Sequence, residues 1–327
     1  MINGREEPGK MEETIQFSHK SVLLEECMEG LNIRPQGIYI DGTAGGAGHS
    51  KEIASRLGEG GRLIALDQDE AAIRTATERL SVFGDRATVV RSNFREVGSV
   101  CEMLGIEQID GMLLDLGVSS YQLDTAERGF SYQADAPLDM RMDMRNELTA
   151  YHVVNEYSEE RIKRILFDYG EERFSGRIAS AILKARGSSP IRTTGELVRI
   201  VKSAIPAAAR DGGHHPAKRT FQALRIEVNS ELDVIEPAIQ AAVRMLRPGG
   251  RIAIITFHSL EDRIVKQTFA DLASGCTCPK SFPVCVCGKK PLVKVITRKP
   301  ILPSEAELNE NPRSRSAKLR VAERLEP

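Results

Sequence analysis

The sequence predicts an α/β fold: a doubly wound, largely parallel sheet with a long helical insertion. Three observations support this fold class. Short apolar segments alternate with helical patterns in the first third of the chain, at spacings that suit right-handed crossovers between parallel strands. The fourth and fifth strand candidates are separated by more than a hundred residues, far more than a crossover needs. A glycine-rich loop follows the first strand candidate, at the edge where open sheets of this kind bind ligands.

Seven short segments have the apolar character of strands, and helical patterns join the first four of them. The strand candidates are 37–41, 62–67, 87–91, 110–116, 251–257, 292–297 and 317–323. Helical periodicity marks 70–80 and 94–104 between them. The last two strand candidates flank a proline-rich loop, and we expect them to complete the sheet.

The insertion is predicted to be helical and to form its own domain. Ser158 precedes one helical pattern, and Thr193 with Glu196 forms a capping box at the start of another. A long helical pattern at 230–246 returns the chain to the sheet, and Arg-Pro-Gly-Gly at 247–250 predicts a turn before the fifth strand. We therefore expect a polar tail at 1–16, a sheet domain of 17–120 and 230–327, and an inserted domain of 121–229.

Length and composition exclude several classes of protein. At 327 residues the chain exceeds what one hydrophobic core usually supports, which favours two domains. No apolar run approaches the ~18 residues of a membrane span, and the first residues, MINGREEPGKMEETIQ, are polar. We therefore expect a cytoplasmic protein without a membrane segment or secretory signal. Six cysteines in a chain of this length exclude a disulfide scaffold.

The positive charge is concentrated in the insertion. The whole chain has a net charge of −1, but residues 173–225 contain eleven lysines and arginines against two acids, a local charge of +9. Such an asymmetry is typical of a segment that binds a polyanion. Solvated helix faces are the alternative interpretation.

The glycine-rich loop lies between two acids that end successive strands. Asp41 closes the first strand candidate, glycines follow at 42, 45, 46 and 48, and Asp67 closes the second. An acid at the second position accepts hydrogen bonds from ribose hydroxyls. The loop lacks both the G-x-G-x-x-G pattern of dinucleotide sites and the lysine of a Walker motif. The pattern therefore favours S-adenosylmethionine and a Rossmann-like class I methyltransferase sheet, with a purely structural glycine turn as the alternative.

Six distinctive segments point to one protein family. They are YIDGT at 39–43, LLDLGVSS at 113–120, RGFS at 128–131, PLDMRMD at 137–143, YGEERF at 169–174 and FHSLEDR at 257–263. Together they resemble the bacterial ribosomal RNA small-subunit methyltransferase H family, also called MraW, over about 19–324. The resemblance implies N(4)-methylation of one cytidine of 16S ribosomal RNA, position 1402 in the usual numbering, in the decoding centre. It also implies that 121–229 is the helical substrate domain.

The candidate cofactor residues come from the loop pattern and from the resemblance. They are Asp41, Gly45, Gly46, Ala47, Gly48, His49, Asp67, Phe94, Asp115 and Gln122. We expect the loop backbone to hold the methionine end of the cofactor, Asp67 the ribose and Phe94 the adenine. Generic methyltransferases have alternating glycines where Thr43 and Ala47 stand here, which leaves the exact backbone of the loop open.

The chemistry requires a group that acts on the amino nitrogen. A cytosine amino group is a poor nucleophile because its lone pair is delocalised into the ring, so it must be aligned with the methyl group and relieved of a proton. Asp115 is the first candidate, and His258, after the fifth strand, is expected to orient the substrate. The alternatives are that Asp115 only holds the cofactor, that main-chain carbonyls after it are the acceptor, and that His258 is structural.

Eight residues are candidates for RNA contact. They are Arg128, Phe130, Tyr132, Arg141, Lys218, Arg219, Gln222 and Arg225. The target base must leave its stack, so the two aromatic residues are candidates for the wall of its pocket, with ordinary packing as the alternative. A helix would place the last four residues close together as a polar stripe. The expected partner is 16S ribosomal RNA, within a small-subunit particle, and the oligomeric state stays open.

Four late cysteines lie close together within a loop at 274–290. They are Cys276, Cys278, Cys285 and Cys287. Four thiolates can close a tetrahedral zinc site, although the C-x-C spacing departs from the usual C-x₂-C. Structural zinc is one prediction, and free thiols or a disulfide are the alternatives.

Two other functions compete with RNA methylation. One is a class I methyltransferase that acts on another RNA, a protein or a small molecule, and the other is a catalytically silent RNA-binding protein. The basic insertion favours RNA over other substrates. The acids Asp41, Asp67 and Asp115 argue against a silent protein because each occupies a position that cofactor binding requires.

Overall fold

The computed structural model describes residues 21–210, 215–275, 278, 282, 284 and 287–326. Within them lies one seven-stranded sheet with the order β3-β2-β1-β4-β5-β7-β6. The strands are β1 Ile38–Asp41, β2 Arg62–Asp67, β3 Ala87–Arg91, β4 Ile109–Asp115, β5 Leu246–Thr256, β6 Val293–Val295 and β7 Lys318–Arg324. The first five strands pair in parallel, and β7 is antiparallel to both β5 and β6. The predicted α/β class is confirmed, and the last two strand candidates complete the sheet.

Fourteen α-helices lie in the described part of the chain. They are α1 Leu24–Leu31, α2 Gly48–Arg56, α3 Glu70–Leu80, α4 Val97–Met103, α5 Ser120–Asp124, α6 Ala150–Glu156, α7 Glu159–Asp168, α8 Ser175–Arg186, α9 Thr194–Ala204, α10 Ala207–Arg210, α11 Lys218–Asn229, α12 Ile235–Met245, α13 Ser259–Ala273 and α14 Glu305–Glu310. Short 3₁₀ segments occur at Ser81–Arg86, Phe94–Glu96, Ala126–Arg128 and Pro312–Ser316. None of these helices has the length and apolar composition needed to cross a bilayer.

Most predicted element boundaries agree with the structure to within a residue or two, and two differ. The pattern at 230–246 becomes helical only at residue 235, because Ser230 adopts a left-handed conformation (φ 50°) that ends α11. The predicted turn at 247–250 lies inside β5 instead. There it forms a bulge in β5. Ile109 pairs with Leu246 and Gly111 with Arg251, so one residue of β4 lies opposite four residues of β5, and β5 has three extra residues at this point.

Side chains of the sheet alternate between two apolar cores. On β4, Met112 and Leu114 belong to one core, which α4, α12 and α13 cover, and Leu113 belongs to the other, which α1 and α2 cover. Both faces of the strand are therefore buried, as expected for a parallel sheet covered by helices. A third apolar core lies within residues 130–228, among α6 to α9 and α11. The domain boundaries given above stay a prediction.

Candidate active site

A cavity of about 720 Å³ opens at the carboxyl ends of the parallel strands. It lies where β1 and β4 are neighbours, and the chain leaves these two strands toward opposite edges of the sheet. Ligands of open α/β sheets bind at such a switch point. The volume is within the range of small-molecule sites, roughly 300–1,000 Å³. Its walls come from the segments after β1 to β5, from the insertion and from the segment before β7.

The glycine-rich loop is held in place by the acid beneath it. Asp41 is fully buried, and its carboxylate accepts hydrogen bonds from Thr43 N (3.1 Å) and Ser50 Oγ (2.6 Å). A Cβ at Gly42 would lie 2.5 Å from a terminal methyl group of Leu114, so a larger residue here would have to displace that side chain. Of the predicted cofactor residues, Asp41 and Ala47 do not line the cavity. Their role in this structure is to support the loop.

The departures of the loop from alternating glycines have structural explanations. The hydroxyl of Thr43 accepts a hydrogen bond from Asp115 N at 2.6 Å, which ties the loop to the end of β4. Ala47 adopts a left-handed conformation (φ 60°) at the start of α2, a geometry that costs a non-glycine residue on the order of 1 kcal/mol. The loop also has Gly45 at φ 48°. The backbone therefore reaches the required turn with only part of the usual glycine pattern.

Asp67 lines the cavity as predicted. Its two carboxylate oxygens accept hydrogen bonds from Gly45 N (2.8 Å) and Asp69 N (2.9 Å), and each oxygen has a second lone pair for a further donor. Burial raises the pKa of Asp67 to about 6, and the charges of Asp69 and Asp41 act in the same direction, while the two backbone hydrogen bonds oppose them. Phe94, at the start of a 3₁₀ segment after β3, also lines the cavity.

Asp115 ends β4 and lines the cavity close to His49. Its Oδ2 is 3.8 Å from His49 Nδ1, and 26% of its side chain is exposed. Its Oδ1 is buried and has no hydrogen-bond partner among the described residues. Burial raises the pKa of Asp115 to about 6; the charges of Asp41 and Glu261 add to this effect, and His49 opposes it.

Gln122 joins the cavity wall to a buried network around Asp69. Gln122 Nε2 donates to Asp69 Oδ2 at 2.8 Å, and its Oε1 completes a capping box with Ser119 at the start of α5. The same oxygen of Asp69 is 2.8 Å from Arg128 Nη1, and both side chains of this ion pair are almost fully buried. Arg128 also donates to the main-chain oxygen of Arg141 at 2.8 Å. Arg128 therefore braces the cavity wall and does not line the cavity.

Three other predicted RNA-binding residues are also away from the cavity. Phe130 is 5% exposed and packs into the core of the insertion. Arg141 forms an ion pair with Asp139 at 2.7 Å, and Arg219 donates to the main-chain oxygen of Glu171 at 2.8 Å. Phe130 is packed inside the protein, which is the alternative that the sequence left open for it, and the two arginines contact neighbouring residues, although Arg219 remains exposed.

The remaining four predicted RNA-binding residues do line the cavity. They are Tyr132, Lys218, Gln222 and Arg225. Tyr132 stacks on His215, with ring centroids 4.4 Å apart. Gln222 donates to the main-chain oxygen of Tyr169, and Arg225 forms a buried pair with Glu231 through two hydrogen bonds of 2.9 Å. Of these four side chains, only that of Lys218 is exposed. It forms no ion pair with any residue that the structure describes.

His258 lines the cavity and also begins α13. Its Nδ1 accepts a hydrogen bond from Glu261 N (3.4 Å) in a capping box, and its Nε2 is 3.1 Å from Glu261 Oε1 without hydrogen-bond geometry. Burial pushes the pKa of Glu261 upward, but contacts with His258 and Arg225 outweigh it, and the net shift is downward. The structure thus gives His258 a capping role at the cavity wall.

One wall of the cavity, in the segment that precedes β7, contains no residue that the sequence predicted for the site. Asn311, Pro312, Arg313, Arg315 and Ser316 line the cavity there. The strand pairing explains its position: β7 runs antiparallel to β5, with Thr256 opposite Lys318, so residues just before β7 lie at the carboxyl end of β5. Basic residues directly before an antiparallel partner of the fifth strand are therefore site candidates.

The predicted zinc ligands are only partly described. Cys278 and Cys287 belong to the described residues, and Cys276 and Cys285 lie outside them, as does the N-terminal tail. Within the described ranges, no group of three or more His, Cys, Asp or Glu side chains is arranged to hold a metal ion. The four-thiolate site stays a prediction.

Comparisons with known proteins match nearly the whole chain. A family model described as the MraW methylase family matches residues 16–325. Proteins named ribosomal RNA small subunit methyltransferase H are 61% identical in Brevibacillus brevis and 59% identical in Clostridioides difficile; each match covers 95% of this chain and 99% or 100% of the relative. Among solved structures, an rRNA methylase from Streptococcus thermophilus matches with a TM-score of 0.43 at 11% identity, over 94% of this chain and 98% of that one.

Proposed function

The chain belongs to the MraW methylase family, and from this premise we propose that it transfers a methyl group from S-adenosylmethionine to small-subunit ribosomal RNA. The names of relatives at about 60% identity support this substrate class. The observation that carries the proposal is the cavity at the switch point, where the glycine-rich loop, Asp67 and Asp115 meet. The finer proposal, N(4) of cytidine 1402 in the decoding centre, follows from the family resemblance.

The residues around the cavity fit S-adenosylmethionine by their chemistry. Asp67 has lone pairs for the ribose hydroxyls, Phe94 offers an aromatic face for the adenine, and residues 42–46 of the glycine-rich loop line the cavity. When bound, the cofactor supplies an electrophilic methyl group on a sulfonium. Gln122 holds the neighbouring wall through Asp69, two residues from Asp67.

We propose that Asp115 is the residue that acts on the amino group of the target base. The exposed part of this carboxylate lies in the cavity, where it would accept hydrogen bonds from the amino hydrogens and align the nitrogen lone pair. The proton that the nitrogen loses on methylation would pass to the same carboxylate. A pKa of about 6 suits this role, because the group is ionised at neutral pH and yet accepts a proton more readily than an ordinary aspartate.

The insertion is our candidate for holding the RNA. Tyr132, stacked on His215 at the cavity, is the candidate wall for a base taken out of its stack. His258 lies at the same cavity, and we retain it as the residue that orients the base, in addition to its capping role. The proposed substrate is a small-subunit particle, so the proposed location is the cytoplasm, where ribosomes are assembled.

The test is methyl transfer to small-subunit particles that lack the modification. Purified protein, labelled S-adenosylmethionine and these particles should give N(4)-methylcytidine on nucleoside analysis, at a single site. Naked 16S RNA in a parallel reaction distinguishes RNA from particle as the substrate. Methylation at another atom or nucleotide would refute the finer proposal, and the absence of RNA methylation in both reactions would refute the substrate class.

A further inference from the structure

Five lysines and arginines line the cavity, and three of them have internal partners. Arg79 donates to the main-chain oxygen of Gly46 at 2.7 Å, in the glycine-rich loop. Arg225 is paired with Glu231, as described above. Arg313 forms two hydrogen bonds with Asp124, of 2.6 Å and 3.1 Å. These three cations stabilise the walls of the cavity.

The other two cations at the cavity are Lys218 and Arg315. Both side chains are exposed, and neither side chain has a hydrogen bond or ion pair with any residue that the structure describes. They come from different elements: Lys218 is the first residue of α11 in the insertion, and Arg315 lies in the 3₁₀ segment Pro312–Ser316 before β7. A guanidinium in this state can form two parallel hydrogen bonds with a phosphate.

The segment that carries Arg315 is firmly anchored on both sides. Arg313 is bonded to Asp124 at the end of α5, and Ser314 is fully buried. Further along, Lys318 and Arg320 of β7 both pair with Asp262. Arg315 is therefore an exposed side chain on a fixed support, which reduces the entropy lost when it binds a ligand.

The same segment lies at the reactive edge of the sheet. Asp115 pairs with Ile255 of β5, and Thr256 pairs with Lys318 at the start of β7. Successive neighbouring strands thus bring Asp115 and the segment before β7 to one edge. A nucleotide whose base enters this cavity must present its backbone phosphates near the cavity mouth.

We propose that Arg315 binds a backbone phosphate of the RNA substrate, and that Arg315 and Lys218 hold the RNA from two separate elements at the mouth of the cavity. The inference rests on the proposed function for the identity of the polyanion. Part of the phosphate contact would then lie outside the basic stretch 173–225, in the segment Pro312–Ser316. Phosphate contacts of this kind position the RNA and do not read its sequence.

The experiment compares Arg315→Ala, Lys218→Ala and the double variant with the native protein. The first readout is the affinity for small-subunit RNA as a function of salt concentration. Each lost phosphate contact should reduce the slope of log affinity against log salt by about 0.7–0.9, and the double variant by about twice that. The second readout is S-adenosylmethionine affinity by calorimetry, which should not change. Arg298→Ala is the matched control, because Arg298 is exposed in the same part of the chain and does not line the cavity.

The outcomes separate this inference from the proposed function. If the native protein methylates RNA and Arg315→Ala has the same salt slope and KM for RNA as Arg298→Ala, the inference is wrong and the proposed function stands. If the native protein binds neither naked 16S RNA nor small-subunit particles at low salt, both are wrong. Arg315→Lys keeps the charge and should retain most of the slope while losing part of the affinity, which a merely structural role of the arginine would not produce.

Discussion

His49 Nδ1 is 3.8 Å from Asp115 Oδ2, and the other ring nitrogen of His49, Nε2, is 2.9 Å from the main-chain oxygen of Val22. A carbonyl oxygen can only accept, so Nε2 carries a hydrogen, and Nδ1 is the ring nitrogen that faces the Asp115 carboxylate. The charge of His49 lowers the pKa of Asp115, in opposition to the effect of burial. The tendency of Asp115 to take up a proton therefore depends in part on a residue at the start of α2.

Replacing Asp115 with asparagine should separate catalysis from binding. The amide keeps the shape of the side chain and cannot take up the proton, so turnover should fall by about 10² to 10⁴-fold. The affinity for S-adenosylmethionine should change by less than about fivefold if Asp115 acts on the amino group. Single-turnover rates and calorimetry measure the two effects, with the exposed Asp85→Asn as control. Equal losses in rate and affinity would indicate that Asp115 only binds the cofactor.

The pH dependence of the chemical step should report the titration of Asp115. Burial raises its pKa to about 6, and the charges of His49, Asp41 and Glu261 also act on it. The ionised form accepts the amino hydrogens, so the single-turnover rate should be constant above pH 7 and should fall about tenfold per unit below pH 6. Asp67 also has a pKa of about 6, so saturating cofactor is needed to remove its contribution. A rate that stays constant down to pH 5 would contradict this assignment.

The same titration predicts a gain of stability in Asp115→Asn. A folded-state pKa of about 6 lies above the unfolded value near 3.9, so ionisation of Asp115 destabilises the folded protein. This penalty is absent below about pH 4, develops between pH 4 and pH 6, and is complete above pH 6. The variant should therefore be more stable than the native protein by about 1–3 kcal/mol at pH 7.5, with the difference shrinking toward pH 4.5. Denaturant unfolding at both pH values measures it, and a pH-independent difference would be evidence against the raised pKa.

Asp67→Ala should weaken cofactor binding. The variant removes the acceptor for the ribose hydroxyls and also the bonds to Gly45 N and Asp69 N, so the loss should be at least about 1–3 kcal/mol. Calorimetry with S-adenosylmethionine measures this loss. Glu70→Ala, at the exposed first position of α3, is a nearby control that should bind normally. Unchanged affinity in Asp67→Ala would remove this residue from the cofactor site.

Metal analysis tests the cysteine prediction. Protein purified without chelator should contain about one zinc per chain if Cys276, Cys278, Cys285 and Cys287 close a tetrahedral site. Cys278→Ser should then lose most of the zinc, whereas Cys101→Ala, whose thiol is buried in the sheet core, should retain it. Metal-free native protein with four titratable thiols in this loop would decide against the site.

The sheet could be predicted because its signals are local. Each strand is a short apolar run, and α3 begins after Asp69, whose side chain caps the helix by accepting from Ala71 N. The loop and the acids that end β1, β2 and β4 could be predicted for the same reason, since the end of a parallel strand fixes which edge of the sheet a residue occupies.

The RNA-facing residues could not be predicted in the same way. A count of basic residues does not show which of them have partners, and the partners here depend on tertiary packing. Arg128 meets Asp69, 59 positions away in the chain, and Arg225 meets Glu231 across the end of α11. Arg315 was missed because its place at the cavity depends on β7 pairing with β5, a contact between distant segments.

The cavity also has a consequence for biosynthesis. Several of its supports join residues very far apart in the chain: Leu23 N donates to Glu307, and Arg313 bonds to Asp124. The strand that lies between β5 and β6 is β7, which leaves the ribosome after both of them. Contacts of such large sequence separation form late in folding. The nascent chain can thus bury much of its sheet and still lack a complete cavity wall until residues 312–324 have been synthesised.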